Sequence, residues 1–232
     1  MIFVYNALFI AFLLWRGGAF IQARPKPRLV ELEIAVVFVI GFLANAWRSY
    51  LIGQHGPEPA ASVSMWVSTL VSLGVPLTAQ LIRKRPLSEL GIALRLNWRV
   101  LMTLVVWIGF LVAATLFFRT SQRLPLVAHP DRIASIGLGL LGEELLYRGF
   151  LQTRLETLVG ATRGWIPASL LFGLTHVAMV FVRGPAGAVN AVVQATLLGA
   201  LWGIAFAKNR TLLVVWPAHA LYDLVPGGIL FG

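Results

Sequence analysis

Residues 132–150 read RIASIGLGLLGEELLYRGF, and this stretch decides which kind of fold the chain can adopt. The segment 133–142 carries no charge, whereas the following positions include Glu143, Glu144 and Arg148. Charged side chains are costly inside a membrane and mark functional sites there. If the surrounding segment crosses a bilayer, these three residues indicate a site within it.

The composition indicates that the segment does cross a bilayer. The chain has 232 residues, of which 58% are hydrophobic and 12% charged, and its mean hydropathy is +0.82. Soluble domains carry about 25% charged residues. Apolar segments recur that are long enough to cross a hydrocarbon core of about 30 Å. We therefore predict one all-α integral membrane domain, a polytopic helix bundle with seven or eight transmembrane helices.

The predicted spans lie near 2–20, 33–53, 62–82, 98–118, 132–156, 164–182, 187–207 and 211–230. The first span is the weakest because Arg16 interrupts it. The polar connection at 83–99 is the candidate for a surface helix. Cysteine is absent, which excludes disulfides, thiolate metal sites and a cysteine nucleophile. The net charge of +10 fits basic loops beside a lipid bilayer, so we expect no nucleic-acid partner.

The basic residues also predict an orientation. We number each loop by the span that it follows. The odd-numbered loops, after the first, third, fifth and seventh spans, hold Arg16, Arg24, Lys26, Arg28, Arg83, Lys84, Arg85, Arg95, Arg99, Arg154, Arg163, Lys208 and Arg210. The even-numbered loops hold Arg48, Arg119, Arg123, Arg132 and Arg183. Cytoplasmic loops carry the excess of lysine and arginine. The odd-numbered loops are therefore predicted to be cytoplasmic, with both termini outside if all eight spans exist.

Ionisable residues within the spans are confined to the second half of the chain, at Glu143, Glu144, Arg148, His176, His219 and Asp223. Glu144 and Arg148 are four residues apart and can pair on one helical face. Glu143 is rotated by about 100° from Glu144 and is left to point elsewhere. His219 and Asp223 are also four residues apart, so the carboxylate can lie close to the imidazole.

Three short motifs resemble those of the CPBP family of membrane proteases. They are E-E-x-x-x-R at Glu143, Glu144 and Arg148, F-x-x-x-H at Phe172 and His176, and H-x-x-x-[ND] at His219 and Asp223. This family includes CAAX prenyl endopeptidases and bacteriocin-processing or immunity proteins of the ABI type. The resemblance covers roughly 130–230. We accordingly expect supporting transmembrane helices in 1–130 and a catalytic core in 131–232.

The resemblance implies an intramembrane endopeptidase that hydrolyses membrane-associated peptides with a glutamate-activated water. Glu143 would be the general base, with His176 helping to hold the water. Glu144, Arg148 and Phe172 would support the site structurally, the first two as an ion pair.

His219 and Asp223 would stabilise the oxyanion. Relatives that resemble the prenyl endopeptidases usually have asparagine in place of Asp223. An ionised aspartate cannot donate a hydrogen bond to an oxyanion. Asp223 is therefore expected to orient His219 and to favour its protonated form.

A zinc site is the alternative to a metal-free mechanism, because the family was long described as metalloproteases. Its ligands would be Glu143, His176 and His219. The H-E-x-x-H pattern is absent, however, and the ligands would come from three helices. We therefore favour a site without a cofactor.

Other functions remain open. A proton-coupled secondary transporter could relay protons through Glu143, His176 and Asp223, although such proteins usually show related sites in both halves. A cytochrome could use His176 and His219 as haem ligands, which leaves the Glu-Glu-Arg motif unexplained. A non-catalytic immunity or partner protein is the third alternative. The short loops favour a multi-pass protein of a prokaryotic plasma membrane, and the sequence does not specify its oligomeric state.

Overall fold

The structure is a computed structural model that describes residues 29–56, 60–92, 97–98, 100–109 and 130–224. Its α-helices are α1 (Val30–His55), α2 (Ala60–Ile82), α3 (Val100–Gly109), α4 (Pro130–Glu144), α5 (Thr153–Val159), α6 (Trp165–Thr175), α7 (Val180–Asn209) and α8 (Trp216–Leu224). A π-helical segment, Leu145–Gln152, joins α4 to α5. Short 3₁₀ turns lie at Leu87–Leu90, His176–Met179 and Leu212–Val214. All regular elements in these ranges are helical, which confirms the all-α prediction for the described part of the chain.

Three helical stretches are long and apolar enough to cross a membrane. They are Val30–His55, Val63–Ile82 and Trp165–Asn209, of 26, 20 and 45 residues. These stretches coincide with four of the predicted spans, because the third contains two. The segment 2–20 and the second part of the predicted span 98–118, from 110 onward, lie outside the described residues. The total of seven or eight spans therefore stays a prediction.

The 45-residue stretch is a hairpin of two helices. Gly184 interrupts it with φ 68° and ψ −179°, a conformation that glycine adopts without steric cost. Pro185 follows and lacks the N–H needed to continue the previous helical turn. A Cβ on Gly173 would meet Thr196, and one on Gly203 would meet Trp165. The limbs are therefore antiparallel and in close contact, with their turn in the predicted connection between 182 and 187.

The long helix that carries the Glu-Glu-Arg motif is not a uniform α-helix. Its central segment, Leu145–Gln152, is π-helical, and all eight of its side chains are buried. A Cβ on Gly149 would lie 2.7 Å from the carbonyl oxygen of Leu90, so the loop before α3 packs directly on this backbone. π-Helical turns are rare and occur frequently at functional sites. The sequence pattern predicts only an α-helix across 132–156.

Ion pairs join several helix ends at one side of the bundle, which we term the basic end. Arg83 and Arg85, just after α2, each lie 2.9 Å from Glu33 at the start of α1. Arg154 of α5 lies 3.4 Å from the same carboxylate. Arg210, after α7, pairs with Glu156 of α5. The basic end therefore contains the start of α1 and the ends of α2, α5 and α7.

The second half of α7 runs through the centre of the molecule. Every residue in 198–207 is buried, including Leu201, Trp202 and Ile204. A helix that is apolar on all sides is expected to be surrounded by protein or lipid. Here α7 contacts α6, the π-helical segment and α1. It therefore provides a fixed wall beside the candidate active site.

Candidate active site

The three motifs meet at one cavity of about 360 Å³. Glu143, Phe172, His176, His219 and Asp223 all line it. They come from α4, α6, the 3₁₀ turn after α6, and α8. Residues separated by up to 80 positions in sequence therefore share one chamber.

Glu144 lies behind the cavity and is completely buried. Arg148 Nη1 donates to Glu144 Oε1 at 2.9 Å, so the ion pair predicted from the four-residue spacing is present. His219 Nδ1 donates to the same oxygen at 2.7 Å. Glu144 therefore connects the π-helical segment to α8. The sequence predicts only its pair with Arg148 and not its contact with His219.

Asp223 is not the residue that holds the Nδ1 atom of His219, although the sequence predicts that it orients this ring. The ring nitrogen Nδ1 bonds to Glu144, and Asp223 is exposed at the cavity. Asp223 forms no hydrogen bond or ion pair with any other residue that the structure describes. The physical reason is burial: the ring nitrogen faces the interior, where the available acceptor is a carboxylate on another helix. The four-residue spacing alone could not reveal this competition.

Aromatic rings cover the buried charges. The Arg148 guanidinium lies 4.3 Å from the centroid of the Phe172 ring, within the range of a cation–π contact. Trp202 stacks on His219, with centroids 3.8 Å apart and planes inclined by 28°. Trp202 was not predicted to belong to the site. Its signal is a tryptophan inside an apolar span, whereas tryptophan is enriched at the membrane interfaces.

His176 lies where α6 changes to a 3₁₀ turn. Its Nδ1 lies 3.0 Å from the carbonyl oxygen of Phe172. A carbonyl oxygen can only accept, so Nδ1 carries the proton in this contact. In the neutral ring, Nε2 is then an acceptor. His176 therefore has a fixed tautomer, in which Nε2 can accept a hydrogen bond.

Glu143 has a different environment from its neighbour. Its side chain is half-buried and lines the cavity. Within the described ranges, no residue forms a hydrogen bond or ion pair with it. One glutamate of the motif is thus fixed in the interior, and the other is available to a molecule in the cavity.

Helix α1 completes the chamber from the first half of the chain. Asn45 and Arg48 line the cavity, and Asn45 Nδ2 donates to the carbonyl oxygen of Thr175 at 2.9 Å. The sequence pattern predicts Arg48 only as a loop charge. No short motif marks either residue, and their role in the wall depends on how α1 packs beside α6.

The site without a cofactor stays a prediction, with zinc as its alternative. Across the described residues, no three histidine, aspartate or glutamate side chains come close enough together to hold a metal ion. The alternative ligands Glu143, His176 and His219 share the cavity without forming such a group.

The family comparison matches the part of the chain that holds this site. Residues 131–225 match the family described as Type II CAAX prenyl endopeptidase Rce1-like. No curated protein and no solved structure is significantly similar to the chain. The matched region contains all three motifs, so the predicted resemblance to the CPBP-type family is confirmed. Through residues 131–225, this integral membrane protein is therefore similar to the Rce1-like CAAX prenyl endopeptidases, a family of membrane proteases.

Proposed function

We propose that the protein is an intramembrane endopeptidase in which Glu143 activates a water molecule. The observation that carries this proposal is the contrast between the two glutamates. Glu144 has its carboxylate occupied by Arg148 and His219, whereas Glu143 lines the cavity without an ion-pair partner among the described residues. Hydrolysis needs one available base beside a rigid binding chamber.

In the proposed reaction, the Glu143 carboxylate removes a proton from water as the water oxygen attacks the peptide carbonyl carbon. The Nε2 atom of His176 accepts a hydrogen bond from the same water and orients it. When the tetrahedral intermediate collapses, the carbon–nitrogen bond breaks. The proton on Glu143 passes to the departing amine, so the site returns to its starting state.

His219 is proposed to stabilise the oxyanion. Donors aimed at the developing negative charge are a major source of catalysis. Because Nδ1 donates to Glu144, the ring must carry a second proton to donate from Nε2. Stacking on Trp202 keeps the ring orientation fixed. Asp223 would supply negative charge at the cavity beside this ring, without holding it.

The proposed substrate is a membrane-associated peptide or protein, and the proposed location is a prokaryotic plasma membrane. The family match supports the protease class. A transporter or a non-catalytic partner protein gains no support from the geometry.

Comparative proteomics of membranes tests the proposal. Cells that produce the wild-type protein should lack certain uncut precursors, and cells that produce Glu143→Gln should accumulate them. Glu31→Gln is the matched control, because Glu31 lies in the first turn of α1 outside the cavity lining. It should process substrates as the wild type does. Equal precursor levels in wild-type and Glu143→Gln cells would contradict the proposal.

A further inference from the structure

The wall that α1 contributes to the cavity is a single face of that helix. Asn45, Arg48, Ser49 and Ile52 line the cavity, at positions i, i+3, i+4 and i+7. Residues with this spacing lie side by side on one helical face. Charged side chains in apolar spans are costly and mark functional sites. Arg48 is therefore a candidate for a functional group of the cavity.

A second arginine reaches the same cavity from the α6–α7 hairpin. Arg183 immediately precedes the turn at Gly184, and its exposed side chain lines the cavity. The hairpin packs tightly on α1 here, because a Cβ on Gly53 would overlap with the carbonyl oxygen of Phe181. The rings of Tyr50 and Phe181 also meet edge to face, with centroids 5.7 Å apart. Both arginines therefore lie where α1 meets the hairpin.

The donors of Arg48 are not used by the described residues. Within the described ranges, no residue forms a hydrogen bond or ion pair with this guanidinium. Its charge acts on His176 and Asp223, so it lies near both, yet it does not pair with the Asp223 carboxylate. A guanidinium has five N–H donors and no acceptor. Because the side chain is half-buried at the cavity, these donors are available to an anion that enters it.

The packing of α1 on α6 fixes this cation relative to the reactive groups. Asn45, one turn before Arg48, donates from Nδ2 to the carbonyl oxygen of Thr175 at 2.9 Å, next to His176. The cavity volume of about 360 Å³ is near the lower end of the range for ligand sites, about 300–1,000 Å³. A group bound to Arg48 therefore lies close to a peptide bond held at Glu143 and His176.

We propose that Arg48 forms a carboxylate-binding subsite, which holds the substrate polypeptide beside Glu143. A guanidinium matches a carboxylate with two parallel, charge-assisted hydrogen bonds. Arg183 adds positive charge to the same part of the cavity. The carboxylate is either the free C-terminus of the substrate or an acidic side chain. That the bound polypeptide is a substrate rests on the proposed function.

Binding of three dansyl-labelled apolar tetrapeptides tests the subsite. One has a free C-terminal carboxylate, one has a C-terminal amide, and the third has a C-terminal amide and one internal glutamate. Fluorescence anisotropy is measured with purified Glu143→Gln protein in detergent, so that the peptides are not consumed. At least one of the two carboxylate peptides should bind about ten- to a hundredfold more tightly than the uncharged amide. The peptide that gains affinity identifies the source of the carboxylate.

Adding Arg48→Gln should abolish this difference in affinity. Arg48→Lys should keep part of it, because the charge stays and the planar fork is lost. Arg163→Gln is the matched control, since Arg163 is exposed outside the cavity lining, and it should keep the full difference. Equal binding of the three peptides, or a difference that persists with Arg48→Gln, would overturn the inference. The comparison of peptides uses the native Arg48, so it decides even if Arg48→Gln does not fold.

Cleavage kinetics separate this inference from the proposed function. Binding needs no protease activity, so it decides the subsite even if Glu143→Gln cleaves as the wild type does. With a cleaved peptide that carries the recognised carboxylate, Arg48→Gln should raise KM about ten- to a hundredfold and leave kcat almost unchanged. Replacing that carboxylate by an amide should remove the effect of Arg48→Gln. A decrease in kcat with unchanged KM would contradict the role of Arg48 as a binding subsite.

Discussion

Glu144 is completely buried with Arg148 and His219 on the same carboxylate oxygen, whereas Glu143, one residue earlier, lies at the cavity. Two identical side chains thus have different surroundings. Two carboxyl groups in unlike environments are a recurrent basis for dividing roles in an active site. We therefore propose that Glu144 is structural and that Glu143 is the reactive glutamate.

Arg148→Ala should destabilise the protein strongly. Removing the guanidinium leaves Glu144 buried without its cation, and breaking a buried pair in this way costs about 3–5 kcal/mol. Thermal unfolding in detergent should show a clear decrease in Tm and in folded yield. Arg163→Ala is the control, because Arg163 is exposed. A variant Arg148→Ala as stable as this control would show that the pair does not hold the site together.

Asp223→Asn should retain much of the activity, because Glu144 and not Asp223 holds the Nδ1 atom of His219. The amide keeps the shape of the side chain and removes its charge. Asp223→Ala should be less active, since it also removes the polar contact surface at the cavity. Steady-state kinetics on one reporter peptide provide the measurement. Complete inactivity of Asp223→Asn would indicate that the carboxylate itself takes part in the reaction.

At the scale of elements, the hairpin and the π-helical segment differ in how far the sequence predicts them. Apolar length and the Gly184-Pro185 turn are local features, so the spans 164–182 and 187–207 were predictable. The π-helical segment was not, because one extra residue per turn leaves no mark in hydrophobic periodicity. Likewise, the Glu144–Arg148 pair follows from spacing on one helix, whereas the Glu144–His219 contact depends on packing between helices.

The α6–α7 hairpin should tolerate no side chain at Gly173. An added Cβ would lie 2.9 Å from the carbonyl oxygen of Val192 and closer still to Thr196 Oγ1. Small residues let membrane helices approach closely, and overpacking costs about 1–3 kcal/mol. Gly173→Ala should therefore lower Tm. Gly74→Ala should leave Tm almost unchanged, since among the described residues no atom beyond its own neighbours and helix backbone lies within 4 Å of that Cβ. Equal Tm values for the two variants would contradict the observed packing.

At the scale of the whole molecule, helices from both halves of the chain surround the reactive groups. Composition predicts the membrane bundle, and the three motifs predict the residues that converge. The walls supplied by Asn45 and Arg48 were not predictable, because α1 resembles any apolar span and its neighbours are set by tertiary packing. The separation between the basic end and the cavity is a property of the assembled bundle that no single segment contains.

The most direct test of the central claim is cleavage by purified protein reconstituted in liposomes. The substrate is a peptide that spans the cut site of a precursor accumulated with Glu143→Gln. Wild-type protein should cleave it, and Glu143→Gln should be inactive although its thermal unfolding is unchanged. Cleavage by Glu143→Gln at the wild-type rate would contradict the assignment of Glu143 as the base that activates water.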